Sequence, residues 1–127
     1  MSFTHSINRV FSRTGETLGG ANAQVAGAEA NLDETIPPSS TDLAVAYAIA
    51  KAKVKSFYIL ADAACTIKTN SSSTPGVTFT VAADLPIAWQ VTDPQTADAF
   101  FVADITSLFV TCSAGCTLKI RGLVDPT

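Results

Sequence analysis

At 127 residues the chain has the length of one domain, and such a domain buries roughly two-thirds of its unfolded surface, enough for a core without disulfide or metal staples. Charged residues make up only 15%, below the ~25% common in soluble domains, so Ser, Thr, Ala and Asn cover much of the surface, as suits a protein packed among others. The formal net charge is −3 and the Lys and Arg are scattered apart from Lys51, Lys53 and Lys55, which argues against nucleic acid as a partner because a phosphate backbone needs a basic face.

Residues 1–30 differ in kind from the rest. They carry Gly15, Gly19, Gly20 and Gly27 among many small residues, with Phe3, Ile7, Val10, Phe11, Leu18 and Val25 as the only sizeable apolar groups. A core is hard to build from that set. The segment reads as an extended N-terminal arm, with a short strand over residues 7–11 and a loop over residues 15–23, where ordering glycine costs the most entropy. Phe3, Ile7, Val10 and Phe11 are its candidate partner contacts. The competing reading is a frayed terminus or an edge strand of the same domain.

Residues 31–127 read as the folded domain. Leu32, Glu34 and Ile36 alternate poorly, and Pro37-Pro38 ends that element because proline lacks an amide donor. Leu43, Val45, Tyr47 and Ile49 sit at odd positions between alanines, a period of two that predicts a strand. The alternative is an alanine-rich helix capped by Ser40 or Thr41, with Leu43, Tyr47 and Ala50 on one face. Beyond Ile49 the apolar parity switches, which marks a turn or bulge at residues 50–53. The three lysines there read as solvated or edge-protecting residues on a strand.

The densest apolar run follows at residues 54–70, as strand, turn and strand. Phe57, Tyr58, Ile59 and Leu60 are uninterrupted, as in a strand covered on both faces, whereas Ile67 alternates with Thr66 and Lys68. Residues 70–76, rich in Ser and closed by Pro-Gly, form a loop. Val77, Phe79 and Val81 share one face of the next strand, and residues 86–91 make another, with Ile87, Trp89 and Val91 in phase. Residues 108–112 and 117–123 are predicted strands joined by a three-residue hairpin loop, Ser113 to Gly115, with Leu118, Ile120 and Gly122 opposed to Lys119, Arg121 and Leu123. About eight strands at roughly ten-residue spacing predict an all-β fold, an antiparallel β-sandwich of jelly-roll-like form.

No catalytic, cofactor or metal constellation stands out. His5 is the only histidine, so a triad or histidine metal site would rest on it alone. Asp62, Asp84, Asp98 and Asp104 could supply a carboxylate pair or a calcium site, but each adjoins a strand end, where aspartate bonds turn amides. Cys112 and Cys116 have only Cys65 as company, too few ligands for a zinc knuckle. They read as small apolar thiols, or as a pair able to oxidise if exposed. Trp89 reads as core. Exposure of Trp89, Tyr47 or Tyr58 would instead favour a carbohydrate-binding module.

No apolar stretch nears the ~18 residues that span a bilayer, and residues 1–20 lack the apolar middle of a signal peptide. The expectation is a product that meets no membrane and stays in the cytoplasm where it is made. The acceptor pattern Asn70-Ser71-Ser72 is discounted on that ground.

The order Lys-Ser-Phe-Tyr-Ile-Leu-Ala-Asp at 55–62, Thr-Ile-Lys-Thr-Asn at 66–70, Leu-Pro-Ile-Ala-Trp at 85–89, Asp104-Ile-Thr, Leu108-Phe-Val-Thr and a final Leu118-Lys-Ile-Arg-Gly-Leu resembles the head decoration, or cement, proteins of tailed bacteriophages. The likeness covers residues 41–125. It implies a non-enzymatic β-sandwich that binds the major capsid protein on the outside of an icosahedral head, as a trimer at local three-fold positions, and it implies a virion location after synthesis in the host bacterium. A tail or baseplate component fits the same features.

Overall fold

The computed structural model describes residues 2–126, so Met1 and Thr127, at the ends of the two expected segments, lie outside the described residues. The strands are β1 (Phe3–Arg13), β2 (Glu16–Ala26), β3 (Ala28–Ile36), β4 (Ser40–Val45), β5 (Val54–Ala61), β6 (Cys65–Thr69), β7 (Thr78–Val81), β8 (Ile87–Gln90), β9 (Leu108–Cys112) and β10 (Cys116–Val124). The protein is all-β. Two antiparallel four-stranded sheets, ordered β3-β10-β5-β8 and β4-β9-β6-β7, pack as a sandwich, and β1 with β2 forms a separate two-stranded sheet.

The pairing is nested. β6 pairs with β7, β5 with β8, β4 with β9 and β3 with β10, as if one long hairpin had been rolled up with its turn in the Ser-rich loop. That loop is closed by its own hydroxyls: Ser71 Oγ accepts from the Ser73 and Thr74 amides, and the Thr69 amide donates to Val77 O. Rolling lets the alternating apolar side of each strand face one core. Phe57, Ile59 and Ala61 of β5 and Leu118 and Ile120 of β10 meet Ile67, Leu108 and Val110 from the other sheet, all fully buried. Phe101, in the irregular segment before β9, seals this core, its ring edge-on to Phe57 at 5.5 Å.

The expected sheet faces are found, but several connections differ. The strand, turn and strand of residues 54–70 exist, yet β5 and β6 lie in opposite sheets. Ser113 to Gly115 is likewise no hairpin loop. It carries the chain from β9 to β10 across the sandwich, because each of these strands already has neighbours on both edges, β4 and β6 for one and β3 and β5 for the other. Gly115 is needed there, with φ +76 and a hypothetical Cβ 2.9 Å from Pro38 N.

Residues 43–49 are extended, not helical. The strand stops at Val45, but Val45, Tyr47 and Ile49 remain buried in alternation, and Ile49 bridges Ile105. Gly122 leaves the space Tyr47 uses to donate to Ala30 O at 2.8 Å, since a Cβ on Gly122 would lie 2.9 Å from the Tyr47 hydroxyl. Lys51 and Lys53 lie in a short 3-10 turn (Lys51–Lys53), not on a strand. β8 ends at Gln90, so Val91 leaves the phase of Ile87 and Trp89 and is exposed.

The largest departure is at the N-terminus. Residues 15–23, expected as loop, belong to a long hairpin in which all 11 residues of β1 pair with β2. Glycine is there for particular backbone positions. Gly15 (φ +83) makes the turn after Thr14, and Gly19 (φ +109) lies so close to Arg9 O that no Cβ fits. The chain then passes Gly27 directly into β3, which pairs along β10 from Ala28 onward.

Candidate functional site

The hairpin lies across the outer face of the β3-β10-β5-β8 sheet. His5 bonds Glu29 on β3, one edge of that sheet, while Arg9 bonds Ala88 O on β8, the other edge. Four residues of strand cover about 14 Å, matching three strand spacings of about 4.8 Å. Between them Ile7 is buried, and beneath the hairpin Ser56, Gln90 and Leu123, all on the outward face of their strands, lose their exposure. The outward members of the uninterrupted run of β5, Tyr58 and Leu60, are only half-buried, so the cover expected on that face is partial.

The anchors are polar. Arg9 grips Asp93 with both terminal nitrogens, at 2.6 and 2.9 Å, and Gln90 Nε2 donates to Asn22 O at 2.7 Å. Asn22 and Gln24 donate to Thr92 Oγ1. The hydrogen bond from Arg9 holds the Asp93 carboxyl below its ordinary range, and His5 does the same for Glu29.

Past Arg9 the hairpin overhangs the edge strand. Val10 to Arg13 and their partners on β2 extend about another 14 Å, and every residue from 8 to 23 is exposed. Phe11 lies directly opposite Leu18, which puts the pair on one face of the ribbon, the face that Ile7 buries on its own sheet. Phe11 is 58% and Leu18 52% exposed. Of the four expected contacts, then, Val10 and Phe11 lie at the overhang, Phe3 is half-buried and Ile7 covers the chain's own sheet. Leu18 escaped the sequence reading because only the register with Phe11 makes it a neighbour.

Between β1 and the sheet lies a cleft of about 780 Å³ lined by residues that include Ile7, Asn8, Ser56, Tyr58, Ala88 and Arg121. Ser56 is 1% exposed and its Oγ has no hydrogen-bond partner. A buried hydroxyl left unpaired costs about 1–3 kcal/mol. Replacement Ser56→Ala should therefore raise the melting temperature, by about 3–5 °C if some 1 kcal/mol is recovered in a domain of this size. Thermal denaturation followed by circular dichroism measures this, and a lower melting temperature would mean that the hydroxyl is paired in solution.

The other expected groups do not converge. Asp62 Oδ1 accepts the Thr117 amide and Asp104 Oδ1 the Lys51 amide, as turn aspartates do. Asp98 instead pairs with the Lys51 ammonium, and Asp84 sits in a turn at φ +57. Cys65, Cys112 and Cys116 are buried and free, meeting inside one end of the sandwich, where burial raises Cys65 and pushes Cys116 up to about 12. Tyr47 is buried, and half-buried Trp89 packs on the core while its indole N–H donates to Gln95 O. Of the three aromatic residues that could hold a sugar, Tyr58 alone lines the cleft. Among the described residues no group of three or more His, Cys, Asp or Glu is placed to hold a metal, and no helix is long and apolar enough to cross a membrane. No family model, curated protein or solved structure matches the chain.

Proposed function

We propose that this chain is a structural virion protein that binds the outside of a tailed-phage capsid and stabilises the shell, without catalysis. The overhanging hairpin carries the proposal. A two-stranded ribbon is marginal on its own in water, yet here it is anchored across a sheet and holds an apolar pair out beyond the edge, at a distance from the core that only a second surface can use.

The strand order supports the same reading. Counted from β3, the two sheets run 1-8-3-6 and 2-7-4-5, the order of a jelly roll, an architecture common among viral capsid proteins. That support is an analogy of fold, and the site carries the function. Attachment is through the major capsid protein. As a trimer at local three-fold positions, the protein would present three ribbons to neighbouring capsomers, and weak contacts joined in this way gain strength by effective concentration. A shell bound in its intact form is stabilised by that binding. The polar, weakly charged surface suits close packing on a particle made in the host cytoplasm. A tail or baseplate position would use the same ribbon against a different surface.

The test is to add purified protein to heads lacking surface proteins and sediment them. Co-sedimentation that saturates at one copy per capsid subunit, the ratio that a trimer at every local three-fold position gives, with a higher temperature of shell rupture, is the expected result. Protein left in the supernatant at all concentrations, with unchanged rupture, would sink the proposal.

A further inference from the structure

The geometry points to a second binding site, independent of attachment to a shell: the cleft beneath β1 is a site for a neutral saccharide. Two separate features converge on it. The first is the unpaired, buried hydroxyl of Ser56 at the cleft, a polar group retained without a partner inside the chain. The second is the composition of the walls. Ile7, Pro86, Ala88 and the Tyr58 ring supply apolar surface, while none of the hydrogen bonds of the described residues uses the Tyr58 hydroxyl, and Ser6 and Asn8, which alternate with Ile7, border the cleft with their side chains on the outer face of the ribbon. A pyranose presents C–H patches and hydroxyls in alternation, and this wall offers partners for both.

Charge selects against an anion. Each basic residue of the cleft already has its own carboxylate: Arg9 is held by Asp93 and Arg121 by Asp33, each through two hydrogen bonds, and His5 by Glu29. A phosphate or uronate would meet guanidinium groups whose charge is already matched and carboxylates close behind them. A neutral ligand can take the N–H groups left over without displacing those partners. The cleft volume, about 780 Å³, lies within the ~300–1,000 Å³ of small-molecule sites and admits a mono- or disaccharide.

Nuclear magnetic resonance titration of the full-length, nitrogen-15-labelled protein tests this. Glucose, galactose, N-acetylglucosamine and maltose serve as neutral probes, with glucuronate and inorganic phosphate as the anionic arms. The expected result is saturable shifts from at least one neutral sugar at the amides of Ser6, Asn8, Ser56, Tyr58 and Ala88. Affinity should weaken at least fivefold in both Ser56→Ala and Tyr58→Phe, variants that keep the ring and the packing. The variant F11S/L18S should bind the same sugar as the parent does, which separates this site from the ribbon tip. Silence across the four neutral sugars overturns the inference, as does a response to glucuronate or phosphate alone, or binding that both cleft variants leave unchanged.

Discussion

Replacing Phe11 and Leu18 together by serine should leave the melting temperature within about 2 °C of the parent and abolish saturable binding to capsid shells. Both side chains are more than half exposed, and no contact within the chain depends on them beyond their own cross-strand pairing. Such a pair contributes about 0.2–1 kcal/mol to its ribbon, and exposed substitutions stay within about 0.5 kcal/mol of neutral. On a second surface the same atoms do far more. Burying a Phe or Leu side chain is worth roughly 1.5–3 kcal/mol, so loss of both weakens one contact by about two to four powers of ten, and a trimer compounds the loss. Sedimentation with shells, read beside a thermal melt, measures both quantities. A double variant that occupies shells as well as the parent would show that the ribbon tip is not the attachment point.

Why the tip was invisible as a hairpin is a matter of what local pattern encodes. Alternation is read along one strand, and it located the inward faces of β6, β7 and β10 correctly, because Ile67, Phe79 and Ile120 each answer to a core on one side. β2 answers to no core. Its Thr-Leu-Gly-Gly-Ala-Asn run is exposed throughout, so burial imposes no period on it, and its glycines look like loop. They are fixed by φ +83 at the turn and by the close approach to Arg9 O, neither of which composition reports. Sheet membership was hidden for a related reason. Gly115 signals a reversal of backbone direction, but the same glycine serves a turn within one sheet and a passage between two. Which one forms is decided by strands far along the chain. The cleft is more remote still, since Asn8, Ser56, Ala88 and Arg121 come from four strands. In sequence Ser56 is one small polar residue beside an apolar run, and it becomes notable only when the ribbon buries it.

Phe101→Ala should be the most destabilising single truncation in the chain. Phe101 lies in no strand, so its neighbours Phe100 and Val102 look equally like parts of an apolar run, and the structure separates the three. Phe101 is fully buried, Phe100 is half-buried and Val102 is 53% exposed. The Phe101 ring meets Phe57 edge-on at 5.5 Å, and Phe57 in turn touches Phe100 at 6.2 Å, which leads on to Phe79 on β7 at 5.5 Å. This chain of rings ties the two sheets together at the point where the irregular segment between β8 and β9 closes over the core. Truncating a buried phenylalanine costs about 3–5 kcal/mol through lost transfer energy and the cavity left behind, out of the 5–15 kcal/mol that typically holds a domain folded. With an unfolding entropy near 2.1 cal/mol/K per residue, a loss of about 4 kcal/mol corresponds to a melting temperature lower by roughly 15 °C. Val102→Ala, one residue on, should move it by no more than about 2 °C. Calorimetry on the two variants decides the matter. Equal effects would mean that the segment is not seated on the core in solution, and Phe57 would then need another cover.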